Sequence, residues 1–372
     1  MSKFITLLLV CALLLSSCAS LLPPGSHTID DEPTPTPVPT EAPEPTPTPT
    51  PMPTPTPIPD ELYEGEIYHI FFHCLIAFPE ISYTNGSSPL DADCVLVDEF
   101  NRCLEQLYEN GYALIAIEET FEVSADGQVT RKPVYVPPGK KPLILSVDDM
   151  VYDERKRGTG MVDRLILDAE GRVATYTQFK DGSELVSYSN EIIPILETFI
   201  EEHPDFSIRG ARGLLALTGF AGILGYRVDR LSDNRAEMIE AVTPIVEAIR
   251  ELGWTFGSHG YGHRRSGDIT EELFLDDTTK WRNEVENIVG PTQIYVYPYG
   301  QYVAAHGPKY QTMLDFGFRV MCGVSHKQEW KEMGDSIFMT RLGIDGYSLR
   351  NYKTHFAPLM DIDTVIDREF RT

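Results

Sequence analysis

The sequence has few basic residues for its length. Its 372 residues include 31 Lys and Arg against 56 Asp and Glu, which gives a formal net charge of −25. Because the phosphate backbone of a nucleic acid attracts clusters of Lys and Arg, this balance argues against a nucleic-acid partner. No apolar run of 18 or more residues follows the N-terminal region, so no later membrane span is predicted.

Cysteine is also scarce. Only six are present, and those outside the N-terminal region are Cys74, Cys94, Cys103 and Cys322. They form no CxxC pair and no Cys-His finger spacing, which argues against a zinc finger. Cys94 and Cys103 are near enough in sequence for a disulfide, but we expect buried free thiols.

The N-terminal region predicts an export signal followed by a tether. Residues 4–15 are almost purely apolar and lead into Ser16-Ser17-Cys18, which resembles a bacterial lipobox. This resemblance implies a lipoprotein signal over residues 1–17 and a lipid on Cys18; an ordinary cleaved signal with a chance cysteine is the alternative. Thirteen of the 28 prolines then fall between Pro33 and Pro59, which predicts an extended Thr/Pro-rich linker over residues 18–61. The expected location is the extracellular face of a bacterial membrane.

Residues 62–372 predict one α/β domain. Short apolar strands alternate with helical patterns, as in proteins built on a parallel sheet or barrel. Residues 165–178 predict a β-hairpin inside an insertion at about 152–188. Residues 363–371 predict a final helix.

Three groups of polar residues directly follow predicted strands. They are Ser146-Val147-Asp148-Asp149, the segment Ser258-His259-Gly260-Tyr261-Gly262-His263, and Tyr297-Pro298-Tyr299-Gly300. Because the sites of parallel α/β folds lie at the carboxyl ends of their strands, we expect these groups to converge.

The histidine and aspartate pairs together predict a metal-dependent hydrolase. Two imidazoles and a carboxylate suit zinc or a similar divalent cation, which would activate water for hydrolysis. Alone, His259 and His263 are weak evidence, since chance pairs with this spacing are common. Alone, Asp148 and Asp149 are more often a helix cap than a site. The combination, directly after buried strands, is much harder to obtain by chance.

The three motifs resemble those of the polysaccharide deacetylase family, carbohydrate esterase family 4. The resemblance spans about residues 66–345. It implies a distorted (β/α)7-type barrel and a divalent metal, with zinc preferred. It also implies the removal of N-acetyl or O-acetyl groups from a polysaccharide, so the expected partner is an N-acetylated polysaccharide.

The family motifs also imply residue roles. Asp148 corresponds to the catalytic base, and the backbone N–H of Tyr299 to the oxyanion donor. The implied metal ligands are Asp149, His259 and His263. The expected substrate-binding residues are Tyr297, Pro298, Gly300 and Arg341. The segment around His73 resembles the Tyr-His segment of the circularly permuted exopolysaccharide deacetylases, which implies that His73 is the general acid; a buried structural histidine is the alternative.

Some positions depart from the family pattern. Val296 replaces the arginine that orients the base, and Gly260 replaces a hydroxyl that braces a ligand histidine. Arg341 is the candidate replacement for that arginine, with a purely structural salt bridge as the alternative. Two further hypotheses therefore stay open: a catalytically decayed glycan-binding lipoprotein, and a hydrolase of the same mechanism acting on a non-carbohydrate amide.

Overall fold

Alternating strands and helices follow one another along residues 59–371, the part of the chain that this computed structural model describes. The predicted signal, Cys18 and nearly all of the Thr/Pro-rich linker lie outside the described residues. Among residues 59–371, none of the helices is long and apolar enough to cross a bilayer.

The strands are short, and most are buried. In chain order they are β1 (Glu61–Leu62), β2 (Tyr68–His73), β3 (Tyr112–Leu114), β4 (Phe121–Val123), β5 (Val129–Arg131), β6 (Tyr135–Val136), β7 (Lys141–Asp148), β8 (Arg164–Leu167), β9 (Val173–Gln178), β10 (Glu184–Ser187), β11 (Leu214–Leu217), β12 (Thr255–Ser258), β13 (Ile294–Val296), β14 (Val320–Val324), β15 (Trp330–Glu332) and β16 (Ile337–Gly343).

The helices lie mostly between strands. They are α1 (Pro79–Ser82), α2 (Val97–Glu109), α3 (Ile192–Glu202), α4 (Arg235–Glu251), α5 (Glu271–Trp281), α6 (Asn287–Val289), α7 (Pro308–Asp315), α8 (Gly346–Asn351), α9 (Lys353–Phe356) and α10 (Ile362–Val365). A π-helical segment, Arg282–Glu286, joins α5 to α6, so the three segments form one continuous helical stretch.

Seven parallel strands close into a barrel. Their order is β11, β12, β13, β14, β16, β2 and β7, and β7 pairs again with β11. The barrel is uneven, since β12 and β13 share a single residue pair, Ser258 opposite Tyr295. Outside the ring, β3 pairs with β7 and β15 with β16. The predicted distorted (β/α)7-type barrel is confirmed.

Strand β7 shows how the sequence places polar groups inside this barrel. Leu143, Leu145 and Val147 belong to the large apolar cluster that also contains side chains of α2 and α4. Successive side chains of a strand point to opposite faces, so Ser146 and Asp148 point into the barrel. Both are buried there.

The insertion contains more structure than predicted. The predicted hairpin is present as β8 and β9, which pair in antiparallel fashion, and β10 adds a third strand. In the chain, this three-stranded sheet lies between β7 and α3.

The predicted final helix is wrong. Helix α10 covers only four residues, and Ile366 is extended, with φ −64° and ψ 134°. Arg371 instead turns inward, and its guanidinium binds the buried carboxylate of Glu99 at 2.7–2.9 Å. This long-range ion pair outweighs the local helical preference of the segment.

The cysteines of the described residues are all free and buried, as predicted. The alternative disulfide between Cys94 and Cys103 is therefore not formed. Burial raises the pKa of the Cys94 thiol to about 12. A thiol with so high a pKa stays protonated at neutral pH and is unreactive.

Candidate metal centre and active site

The aspartate and histidine motifs meet at the carboxyl end of the barrel. Potential ligand atoms of Asp149, His259 and His263 all lie within 4.8 Å of one another. His263 Nε2 is 3.3 Å from a carboxylate oxygen of Asp149. The structure thus brings together the three side chains predicted as metal ligands.

Unusual backbone conformations orient the residues that follow three barrel strands. Asp149, His263 and Tyr299 have φ values of 61°, 50° and 56°, in the left-handed region that non-glycine residues rarely adopt. Such a conformation costs on the order of 1–3 kcal/mol and persists only where the surroundings hold it. At Asp149 the N–H donates to the carbonyl oxygen of Ala216 on β11, at 3.1 Å.

A hydrogen bond at Nδ1 orients the His259 ring so that Nε2 is available to a metal. Its Nδ1 lies 2.9 Å from the carbonyl oxygen of Val296. A carbonyl oxygen only accepts, so Nδ1 carries a proton, and in the neutral tautomer the lone pair is on Nε2. The imidazole is buried, and Nε2 lies 3.7 Å from an Asp148 carboxylate oxygen.

His263 is also available to a cation. Burial lowers the pKa of His263 to about 4, although the carboxylate of Asp149 acts in the opposite direction. The ring is therefore neutral at pH 7, the form that binds a metal. The centroid of the His263 ring lies 4.9 Å from the centroid of the His259 ring.

The loop between these histidines is held by a residue that the sequence did not reveal. The N–H groups of Tyr261 and Gly262 donate to the two carboxylate oxygens of Asp277, at 2.7 and 2.9 Å. A Cβ at Gly262 would lie only 3.0 Å from one of these oxygens, which explains the small residue there. Asp277 lies inside α5 and has no local motif, so only the fold could identify it. Its carboxylate supplies a brace where Gly260 lacks the family's hydroxyl.

Asp148 is held by Arg341 in a buried ion pair. The two guanidinium Nη atoms donate to the two carboxylate oxygens at 2.7 and 2.9 Å, and the side chains of Arg341 and Asp148 are 1% and 3% exposed. Burial alone would raise the pKa of Asp148, but Arg341 and His259 lower it well below its usual range. Asp148 therefore stays ionised, and Arg341 fixes both of its carboxylate oxygens.

Three of the four residues predicted to bind substrate are buried. Arg341 points at Asp148 from inside the barrel and positions the carboxylate. Tyr297 packs in an apolar cluster, and its hydroxyl donates to Met313 Sδ at 3.3 Å. Pro298 is also buried, whereas Gly300 is partly exposed. The side chain of Arg341 is buried because side chains alternate along β16 and every second one faces the barrel interior.

His73 ends β2 directly opposite Asp148 in the parallel register. It lines the same cavity as Asp148 and Asp149. Its Nδ1 is buried and has no hydrogen-bond partner among the described residues. This placement suits transfer of a proton, and the general-acid role of His73 stays a prediction.

A cavity of about 440 Å³ opens over these side chains. Its volume falls within the roughly 300–1,000 Å³ of small-molecule sites. Tyr299 forms part of the wall with an exposed ring, 4.5 Å from the ring of His263 and 4.7 Å below the guanidinium of Arg265.

A family model for polysaccharide deacetylases matches residues 231–320. This range contains both His259 and His263 and the third motif, Tyr297-Pro298-Tyr299-Gly300. The resemblance to the polysaccharide deacetylase family is confirmed. The family indicates deacetylation of a polysaccharide. A search of curated proteins by sequence finds no match.

Three solved structures of deacetylases are similar in fold to this barrel. The Streptococcus pyogenes deacetylase PplD, solved with acetate, has 14% identity and a TM-score of 0.42, over 78% of this chain and 94% of its own. A polysaccharide deacetylase from Bacillus cereus has 13% identity and a TM-score of 0.44, over 83% and 70%. The BpsB deacetylase domain from Bordetella bronchiseptica has 12% identity and a TM-score of 0.38, over 75% and 96%.

A buried carboxylate behind the candidate site was also missed from the sequence. Glu191 accepts hydrogen bonds from the Leu75 N–H at 3.3 Å and the Tyr152 hydroxyl at 2.9 Å. Leu75 lies two residues beyond His73, and Tyr152 three beyond Asp149. Glu191 therefore joins the segments that follow β2 and β7. Burial raises the pKa of Glu191 to about 7, although these donors act to lower it.

Changing Glu191 to Gln is expected to remove a pH dependence of stability. Because the pKa of Glu191 is about 7 in the folded state and ordinarily 4.5, the folded protein binds this proton more tightly than the unfolded chain. The carboxyl group thus contributes stability that is full below about pH 4.5 and is lost as the pH rises through 7. Between pH 4.5 and 8, the wild type should lose about 3 kcal/mol relative to Glu191→Gln in denaturant unfolding.

The control for this prediction is Glu202→Gln, at the exposed other end of α3. Its unfolding free energy should follow the wild type at every pH. Parallel curves for the wild type and Glu191→Gln would show that Glu191 titrates as an ordinary carboxylate, against this prediction.

Proposed function

We propose that this protein is a metal-dependent hydrolase that removes N-acetyl groups from an extracellular polysaccharide. The observation that carries the proposal is the convergence of Asp149, His259 and His263 beside an ionised, buried Asp148. The match of residues 231–320 to the polysaccharide deacetylase family supports the choice of reaction.

The three side chains suit a divalent cation. The Oδ1 atom of Asp149 is buried and has no hydrogen-bond partner among the described residues. Nδ1 of His259 faces the Val296 carbonyl oxygen, which leaves Nε2 to face a cation, and His263 is neutral at pH 7. A carboxylate with two neutral imidazoles is a donor set that zinc takes in catalytic sites, so we favour zinc. When bound there, the cation lowers the pKa of coordinated water and polarises the acetyl carbonyl group.

The chain's own residues then divide the proton transfers. Asp148 accepts a proton from the attacking water, while a C–O bond forms at the acetyl carbon. The C–N bond breaks, and protonated His73 gives its proton to the leaving nitrogen. Acetic acid and a free amine result, the acid releases its proton to solvent as acetate, and the proton on Asp148 restores the charge of His73 before the next cycle. The backbone N–H of Tyr299 is the proposed donor to the developing oxyanion.

The contacts of Asp148 and His259 favour an active enzyme over a decayed one. The hypothesis of decay was motivated by the missing arginine at Val296 and the missing hydroxyl at Gly260. Arg341 holds the base at 2.7–2.9 Å, and Asp277 braces the histidine loop. Both missing contacts thus have replacements from elsewhere in the chain.

Changing Asp148 to Asn should reduce acetate release from N-acetylglucosamine oligomers by about 100-fold or more, the usual effect of losing a general base. The metal content should stay at the wild-type value, because Asp148 is not among the three proposed ligands. Acetate can be measured enzymatically and the metal by inductively coupled plasma mass spectrometry.

The matched control is Asp126→Asn, in the exposed turn between β4 and β5, which should retain full activity. Failure of the metal-loaded wild type to release acetate from any glycan would contradict the proposed function. Release from small amides alone would favour the non-carbohydrate hydrolase.

We further propose that the enzyme is held at the membrane by a lipid on Cys18. The support is the lipobox-like Leu15-Ser16-Ser17-Cys18 and the Thr/Pro-rich segment after it. In a bacterial host fed an alkyne fatty acid, the wild type should be labelled and Cys18→Ala should not. Cys11→Ala, inside the apolar run, should keep the label. A labelled Cys18→Ala variant would contradict the anchor.

A further inference from the structure

A second cavity, of about 340 Å³, lies beside the candidate active site and shares Tyr297 and Val324 with it. We propose that this cavity binds an uncharged sugar unit adjacent to the unit being deacetylated. The inference rests on the proposed function, because it requires a polymeric carbohydrate substrate.

An exposed aromatic ring forms one wall of this second cavity. Tyr302 is 63% exposed. The ring is held from behind by edge contacts with Phe338 at 5.4 Å and Tyr297 at 6.5 Å, between centroids. A supported ring with an open face offers an apolar surface to the C–H face of a sugar, and its hydroxyl can bond to water or ligand.

The rim of the second cavity is polar but electrically balanced. Glu329 and Lys331 form an exposed ion pair at 2.9 Å, and Lys331 Nζ lies 5.8 Å from the centre of the Phe338 ring. The pair offers a donor and an acceptor to sugar hydroxyls without a net charge. An uncharged sugar unit therefore fits better than an anionic one, which the acidic chain as a whole would also repel.

A contact between the turn after β13 and the end of strand β14 separates the two cavities. A Cβ placed on Gly300 would lie only 2.9 Å from the Cβ of Val324, so the turn after β13 touches the end of β14. Tyr299, the neighbour of Gly300, packs on the candidate ligand His263. The second cavity thus begins where the wall of the first one ends, which suits consecutive units of one polymer.

The test compares a short and a long substrate on the full, metal-loaded enzyme. Tyr302→Ala should lower kcat/KM for the N-acetylglucosamine tetramer about 10-fold, mainly through KM, and leave the monomer unchanged. Tyr302→Phe should retain the wild-type values, because it keeps the ring. Lys331→Met, a second exposed variant, should raise KM for the tetramer several-fold.

Tyr135→Ala is the matched control, since Tyr135 is 49% exposed on β6 and does not line either cavity. It should leave both substrates unaffected. Equal kcat/KM changes for monomer and tetramer, or none, in Tyr302→Ala would overturn the second subsite while the proposed function stands. No turnover and no binding of either substrate by the wild type would overturn both.

Discussion

The register of β7 between β2 and β11 is the constraint on which the site depends. Asp148 lies opposite His73 on one neighbouring strand and opposite Ala216 on the other. Since side chains alternate between two faces, a slip of one residue would turn Asp148 and Ser146 outward and Val147 inward. The apolar face of β7, buried against helices, opposes such a slip. Core packing thereby fixes the position of the candidate base.

The polar groups inside the barrel hold the Asp148 carboxylate in one position. Burying an ion pair such as Arg341 with Asp148 costs several kcal/mol of desolvation, so it is weak evidence for stability. Its value lies in orientation, since both carboxylate oxygens are fixed. Ser146 receives a hydrogen bond from Arg341 at 3.0 Å and lies 3.0 Å from His69 Nε2. Burial, with Arg341 nearby, lowers the pKa of His69 well below its usual value, so no second cation forms there.

The sequence predicted those parts of the fold and site whose signals are local. Alternating apolar strands and helices indicated the barrel, and two short motifs after strands indicated Asp149, His259 and His263. Arg341 was only one alternative, because it reaches Asp148 across 193 residues. Asp277 and Glu191 were missed, since each acts on backbone groups of a distant loop and has no motif. The predicted final helix failed for a similar reason, as Arg371 is drawn to Glu99 across 272 residues.

The most direct test of the metal centre is an anomalous-diffraction experiment at the zinc absorption edge, on crystals of the zinc-loaded protein. We expect one strong peak for a zinc ion coordinated by Asp149, His259 and His263 at about 2.0–2.2 Å, with the ion pair between Asp148 and Arg341 intact. A peak at another location, or none with zinc in excess, would contradict it.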